Sequence, residues 1–241
     1  MRFASLLVLL ILAISSTIMA QDKPWQLFNF DALEAEHGER GNPYLRFLDA
    51  PSMSMGLYIL KAGAQDGQSP HRLDEVYYIV EGKAVLTAGE YEIPVSAGSI
   101  VYVKADISHK FHSIEEDLKV LVVFPTHTPN TALAPVQETY SLSTLERNRR
   151  TNENVWHPFL NVPTMQMGLY MLPKALGGDD TLTHTFDEVN IVTKGTATFK
   201  IGDEEIELKP GSIVYVKDGN GHSFHSLSED FDVLIVFEKR N

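Results

Sequence analysis

The 241-residue chain contains no cysteine. No disulfide can staple it and no thiolate can serve as nucleophile or ligand, so any metal must be held by nitrogen and oxygen. Positive charge is also in short supply, with 20 Lys and Arg against 32 Asp and Glu. Nucleic acid and an anionic membrane surface both need a positive footprint, and the balance argues against either as a partner. A solvated acidic surface is the simplest reading of it. The chain has no G-x-S-x-G elbow, no P-loop and no G-x-G-x-x-G, which leaves serine-hydrolase chemistry and nucleotide binding without footing. Acidic residues are too many to single out a carboxylate pair for glycoside hydrolysis. Long apolar runs are missing as well. The most apolar one, Leu6 to Ile14, is too short to cross a bilayer comfortably. With Arg2 before it and small and polar residues up to Ala20 behind it, residues 1–20 have the three-part build of a secretory signal peptide. The mature chain, 21–241, is therefore expected to be exported, to a periplasm or outside the cell, and to keep no membrane contact once the signal is removed.

Four chemistry-bearing side chains do occur, and they occur twice. His71, Glu75, His109 and His112 recur as His184, Glu188, His222 and His225, each 113 residues later. Imidazole and carboxylate are the groups that bind first-row divalent metals when thiolate is unavailable. From His71 to Phe124 the match runs without a gap and about half the positions are identical, long enough to count as an internal repeat. Upstream the offset drops to 112, as in Met53, Gly56 and Tyr58 against Met165, Gly168 and Tyr170, so one residue is inserted in the loop before His184. Asp31-Ala-Leu-Glu34 and Ser143-Thr-Leu-Glu146 read as capping boxes that start a short helix in each unit. The expected organisation is one unit in residues 21–125, a Pro- and Thr-containing connector in 126–139, and a second unit in 140–241.

The units read as strands. Runs such as 75–80, 83–87, 99–103 and 120–124 are rich in β-branched and aromatic residues, with Gly82, Gly89 and Gly98 between them and Gly195, Gly202 and Gly211 at the equivalent points. Short strands with regular turn signals favour an antiparallel sandwich or barrel. Residues two and four apart on a strand share a face, so His71 and Glu75 point one way and Asp74 the other. By the same rule His112 points away from His109. The candidate ligand sets are then His71, Glu75 and His109 in one unit and His184, Glu188 and His222 in the other. Two imidazoles and a carboxylate leave positions open for water, substrate or dioxygen. The competing reading is a buried, hydrogen-bonded cluster with no metal. His112 and His225 are expected to pack between units or subunits, Asp74 and Asp187 to be turn or surface carboxylates, and Tyr58, Tyr170 and Met53, Met55, Met165 and Met167 to be core. Tyr77 shares the inward face of Glu75 while its counterpart is Asn190, which predicts unequal pockets. Val76, Tyr78 and Val80 on the opposite face are still apolar, which predicts that the two barrels pack on each other and leaves room for a homodimer.

The stretch from Pro70 through His71 and Glu75 to Gly82 resembles the first cupin motif, and Gly98 through His109 and His112 resembles the second; Thr183 to Gly195 and Gly211 to His222 repeat both. The resemblance implies an all-β bicupin, two small jelly-roll barrels in tandem from an internal duplication. It assigns the two His-Glu-His sets to a divalent metal, with Fe or Mn ahead of Zn or Ni. The first motif usually has another His two residues before His71; here Ser69 and Leu182 stand at those positions, so each site has three protein ligands at most. The usual Pro and Gly of the second motif are Lys104 and Asp106, and Lys217 and Gly219. The function expected on this basis is a metal-dependent enzyme on a small polar molecule, a dioxygenase-type oxidoreductase slightly ahead of an isomerase or lyase. The alternatives are a non-catalytic bicupin that binds carbohydrate or another small ligand, and a structural bicupin like the seed storage globulins. Fold alone does not choose among them.

Overall fold

The computed structural model describes residues 23–68, 70–127, 134–147 and 154–239. Residues 1–20, expected to be a signal peptide, Ser69 and the middle of the connector lie outside the described residues. The first repeat runs β1 (Trp25–Asn29), α1 (Phe30–Arg40), β2 (Tyr44–Asp49), β3 (Met53–Leu60), β4 (Glu75–Ala88), β5 (Tyr91–Ser96), β6 (Ser99–Val103) and β7 (His109–Pro125). The second runs β8 (Gln137–Ser141), α2 (Leu142–Arg147), β9 (Trp156–Asn161), β10 (Met165–Leu172), β11 (Glu188–Lys194), β12 (Ala197–Ile201), β13 (Glu204–Leu208), β14 (Ser212–Val216), β15 (His222–His225) and β16 (Phe231–Glu238). The helix expected to start at Asp31 starts earlier: Asn29 is the N-cap, its Oδ1 accepting from the Asp31 N–H at 3.1 Å. It stops at Gly41, which takes the left-handed conformation.

Every strand pair among the described residues is antiparallel. The first barrel is a sheet in the order β2-β3-β7-β4-β6-β8, with β5 paired to β4. The second divides into β1-β14-β11-β16-β10-β9 and β13-β12-β15. Long β4 and β7 serve both walls of the first barrel, whereas the second uses β11 with β12 and β15 with β16. Both turn the corner on a glycine at positive φ. A Cβ would lie 2.4 Å from the Asp117 carbonyl oxygen at Gly82, and 2.5 Å from that of Asp230 at Gly195, so no other residue fits without moving the partner strand.

Each repeat lends its first strand to the other. β1 pairs with β14, Trp25 opposite Val216, and β8 pairs with β6, Ser141 opposite Ser99. Strand alternation then divides the apolar residues into three cores. Tyr77 and Ile79 point into the first barrel and Val192 and Phe199 into the second, while Val76 and Val189 point into a seam between the two. Tyr78 and Val80 pack against that seam, and the expectation that the barrels pack on each other is met within one chain. Met53, Met55, Met165 and Met167 fill it, each at most 1% exposed, and each such side chain contributes about 1.5–3 kcal/mol by leaving water.

The seam also overturns one expectation. Asp74 and Asp187 are not turn or surface carboxylates; each is 2% exposed. Asp74 accepts from Thr164 Oγ1 of the second repeat at 2.7 Å and from the Ala105 N–H at 2.8 Å. Asp187 accepts from Ser52 of the first repeat, from Tyr215 OH at 2.8 Å and from the Asp218 N–H at 2.8 Å. The alternation rule put both carboxylates on the correct face, but that face meets the other barrel instead of solvent.

Candidate metal centres

Each triad is assembled from a loop and two strand starts. Glu75 and His109 are the first residues of β4 and β7, and His71 lies in the loop before β4; Glu188, His222 and His184 take the same places in the second barrel. One potential ligand atom from each member of a triad lies within 4.8 Å of the others. The loop histidines are fixed through their backbone. His71 O accepts from the Asp106 N–H at 2.7 Å, and His184 O from the Gly219 N–H at 2.9 Å. Asp106 holds a positive φ of 64° where Gly219 has 76°, so the turn survives in the first repeat without its glycine, at some strain. Phe124 and Phe237 pack against the rings of His71 and His184, with centroids 5.1 and 4.9 Å apart.

Hydrogen bonding fixes what the inner histidines can offer. His109 Nδ1 lies 2.7 Å from the Ile107 carbonyl oxygen, and His222 Nδ1 lies 3.1 Å from that of Asn220. A carbonyl can only accept, so Nδ1 carries the hydrogen and in the neutral ring Nε2 presents a lone pair. Those Nε2 atoms sit 2.9 Å from Glu75 Oε1 and 2.8 Å from Glu188 Oε1. His71 Nδ1 is 2.9 Å from Glu75 Oε2, whereas His184 Nε2 stands back at 3.8 Å from Glu188 Oε2. His109 Nε2 and both Glu188 oxygens, though close to these neighbours, are buried and out of line for a hydrogen bond. Lone pairs crowded at such distances need a cation between them. A divalent ion fits: neighbouring ligands at about 2.1 Å from one ion are themselves about 3 Å apart. The inner histidines also have the backbone-bound second nitrogen that orients a metal-binding imidazole.

A proton competes for the same position, and the pKa shifts follow that competition. Burial lowers the His109 pKa, but the adjacent Glu75 carboxylate, 2.9 Å from Nε2, outweighs it and the net shift is upward from 6.5. His222 is raised in the same way by Glu188. Burial raises Glu75, and His109 and His71 more than reverse it, leaving it below 4.5. In chelated protein the folded chain thus binds these protons more tightly than the unfolded one, whose His pKa is near 6.5. The stabilisation is complete below that value and is lost as pH rises through the raised folded pKa. The melting temperature of chelated protein is therefore expected to fall from pH 6.5 upward. That of metal-loaded protein should rise over the same range, because the ion needs the deprotonated imidazole. Identical slopes with and without chelator would count against both pairs.

The two floors carry different walls. The first triad borders, through His71, a cavity of about 540 Å³ lined also by Tyr44, Arg46, Tyr58, Gln68, Arg72, Tyr77 and Phe124 among others. The second opens into about 150 Å³, lined by Trp156, Tyr170, Asp179, Leu182, Asn190, Phe224 and Phe237. The rings of Tyr44 and Trp156 lie over Gly56 and Gly168, where a Cβ would be 2.2 and 2.3 Å from them. The inequality expected from Tyr77 and Asn190 is present. A larger cavity of about 880 Å³ lies on the seam, lined by Lys23, Asp49, Ser52, Asp187 and Lys217 among others, and holds neither triad.

Tyr58 and Tyr170 are mostly buried as expected, yet their hydroxyls are engaged. Tyr58 OH donates to Asp66 at 2.5 Å and Tyr170 OH to Asp179 at 2.9 Å. Those carboxylates also accept from the Phe111 and Phe224 N–H groups at 2.8 and 2.6 Å, tying the loop that leads to the outer histidine to the strand of the inner one. Asp66 and Asp179 were missed by the sequence reading, although they are 113 residues apart, the same offset as the ligand sets. His112 and His225 point outward, but neither packs between the units. Their Nε2 atoms face Glu92 at 2.7 Å and Glu205 at 3.5 Å on their own repeats.

Comparison with known proteins places this geometry. An uncharacterized protein of Streptomyces coelicolor is 53% identical over 97 residues, which cover 40% of this chain and 92% of that protein. Among solved structures, a Cupin 2 conserved barrel domain protein from Leptotrichia buccalis aligns with a TM-score of 0.68 at 15% identity, over 89% of this chain and 96% of the other. Protein Ylba from E. coli gives 0.70 at 15% over 90% and 92%. A salicylate 1,2-dioxygenase from Pseudoaminobacter salicylatoxidans gives 0.75 at 14% over 89% and 84%. At these identities the likeness is one of fold, and the fold is shared along both barrels. The cupin domain family matches twice, over residues 56–124 and 168–237. With one cupin domain in each repeat and a triad fit for metal in each barrel, the chain belongs to the cupin family.

Proposed function

We propose that this cupin is an exported, metal-dependent enzyme acting on a small polar molecule, an oxidoreductase of the dioxygenase type using Fe or Mn ahead of a redox-neutral isomerase or lyase. One observation carries the reading: in each barrel two imidazoles and a carboxylate converge on one point beside a cavity, with buried lone pairs that no protein donor answers. A divalent ion there would supply Lewis acidity and, as Fe or Mn, redox chemistry with dioxygen. The first barrel supplies the rest. Aromatic walls from Tyr44, Tyr58, Tyr77 and Phe124 suit a ring, and Arg72, with Arg46 beside its partner Asp49, offers positive charge to a carboxylate. The Tyr77 hydroxyl is occupied by Gln68 at 3.1 Å, and burial, then the Glu75 charge, keep it protonated far above its usual range. It therefore shapes the pocket and does not act as a base. A structural neighbour, the salicylate 1,2-dioxygenase, has been solved with gentisate, which recommends hydroxylated aromatic acids as first substrates.

The test is metal analysis of mature protein purified from its native compartment without chelator or metal resin, followed by an oxygen-uptake screen with hydroxylated aromatic acids, other small acids and sugars. Close to two equivalents of Fe or Mn and oxygen uptake on an aromatic acid are expected, on a chain whose mass corresponds to a start at Gln21. A chain that holds no metal and takes none up on titration would move the function to ligand binding without catalysis.

A further inference from the structure

Asn190 follows Glu188 by two residues on β11 and so faces the same barrel interior. It is completely buried, and neither Oδ1 nor Nδ2 has a hydrogen-bond partner. An amide carries both donor and acceptor, and burying both unanswered is costly. In the first barrel the equivalent Tyr77 hydroxyl is satisfied by Gln68. Among the described residues nothing comparable exists here. The neighbouring wall is Trp156, Leu182, Phe224, Ile235 and Phe237, and the Tyr170 hydroxyl is already bound to Asp179. The amide borders a space of about 150 Å³, on the order of five water volumes at about 30 Å³ each.

Charge narrows the occupant. Arg46 and Arg72 line the first cavity, but Pro158 and Thr185 occupy their positions in the second repeat, and among the described residues no Lys or Arg lines the smaller cavity. Apart from histidine, a divalent ion on the triad is the one positive charge a ligand would meet. Set against the Glu188 carboxylate, the ion would keep one positive charge, and the other lining carboxylate, Asp179, is already held by the Tyr170 hydroxyl and the Phe224 N–H. A molecule suited to the amide needs an acceptor for Nδ2 and a donor for Oδ1, side by side.

We propose that the second barrel is a separate binding site for a short 2-hydroxy acid, its carboxylate accepting from Asn190 Nδ2 and its hydroxyl donating to Asn190 Oδ1. The first barrel takes the larger, ring-bearing anions. The inference rests on the metal reading above for the charge that holds the carboxylate.

Glycolate is the probe. Calorimetric titration of full-length mature protein, metal-loaded and chelated, is compared with Asn190→Leu, His71→Ala and His184→Ala. Metal-loaded wild type and His71→Ala are expected to bind one glycolate per chain, and His184→Ala to lose it. Asn190→Leu should keep both metals and weaken glycolate by at least about tenfold, the effect of losing its two hydrogen bonds. Without ligand, Asn190→Leu should melt about 2–4 °C higher, because it removes an unanswered buried amide; a poorly folded variant would melt lower. Two bound metals with no glycolate binding, or glycolate held as tightly by Asn190→Leu, would overturn this inference and leave the metal reading intact. A chain that takes up no metal and binds no glycolate would overturn both.

Discussion

Replacing His109 with alanine should drop the metal content of the chain from two equivalents to one, with the second barrel still loaded, and His222→Ala should do the converse. The inner histidines are chosen because each is held on both sides. Nδ1 is fixed by a backbone carbonyl, so Nε2 is already aimed at the carboxylate and little is lost in ordering it on binding. Disturbing an outer partner of a metal-bound histidine already costs about 10–100-fold in affinity; deleting one of three ligands should cost more. His71 has a side chain 35% exposed and only its ring nitrogen committed to Glu75, so His71→Ala should weaken its site less than His109→Ala does. Metal analysis after dialysis against a weak competing chelator reads both. If the triads were only hydrogen-bonded clusters, neither variant would change the metal content and the ligand assignment would fail.

The six candidate ligands were legible because two periodicities coincide in them. The 113-residue offset selected four pairs, and strand alternation removed His112 and His225 by turning them away from His109 and His222. The structure brings together the six that remained. Alternation says which face a side chain is on and nothing about what that face meets. This is why Asp74 and Asp187 were assigned to solvent and lie in the seam. The exchange of β1 and β8 was equally out of reach, since their partners β14 and β6 are distant in sequence and the strands carry no mark of which sheet they join. Asp66 and Asp179 lay in loops with no periodicity to flag them, and only the repeat offset could have found them. Pocket size depends on how Trp156 and Tyr44 pack over glycines in the neighbouring strand, a three-dimensional fit that the substitutions of Tyr77 and Asn190 only hinted at.

Asp187→Ala is expected to destabilise the whole chain by about 3–5 kcal/mol, enough to lower its melting temperature by roughly 10 °C. The carboxylate is acceptor to Ser52, Tyr215 and Asp218 in the seam, and the variant takes that acceptor from all three. An exposed ion pair such as Lys23 with Glu204, whose side chains are 58% and 48% exposed, is the contrast; breaking it should cost less than about 1 kcal/mol. Ser52→Ala together with Asp187→Ala should be non-additive, with a coupling of about 0.5–3 kcal/mol that isolates the contact across the seam. Asp74 with Thr164 is the symmetric test in the other direction. Because Asp187 and Glu188 are consecutive and point to opposite faces, the bond that joins the barrels also sets the position of a candidate ligand. The variant should therefore release metal from the second site more readily than from the first. With a shared apolar core, two exchanged strands and a carboxylate bridge in each direction, the wild-type chain should melt in one transition, and Asp187→Ala in one transition at lower temperature. Two resolved transitions in the wild type, with Asp187→Ala affecting neither, would mean that the barrels fold independently and that the seam transmits nothing to the metal sites.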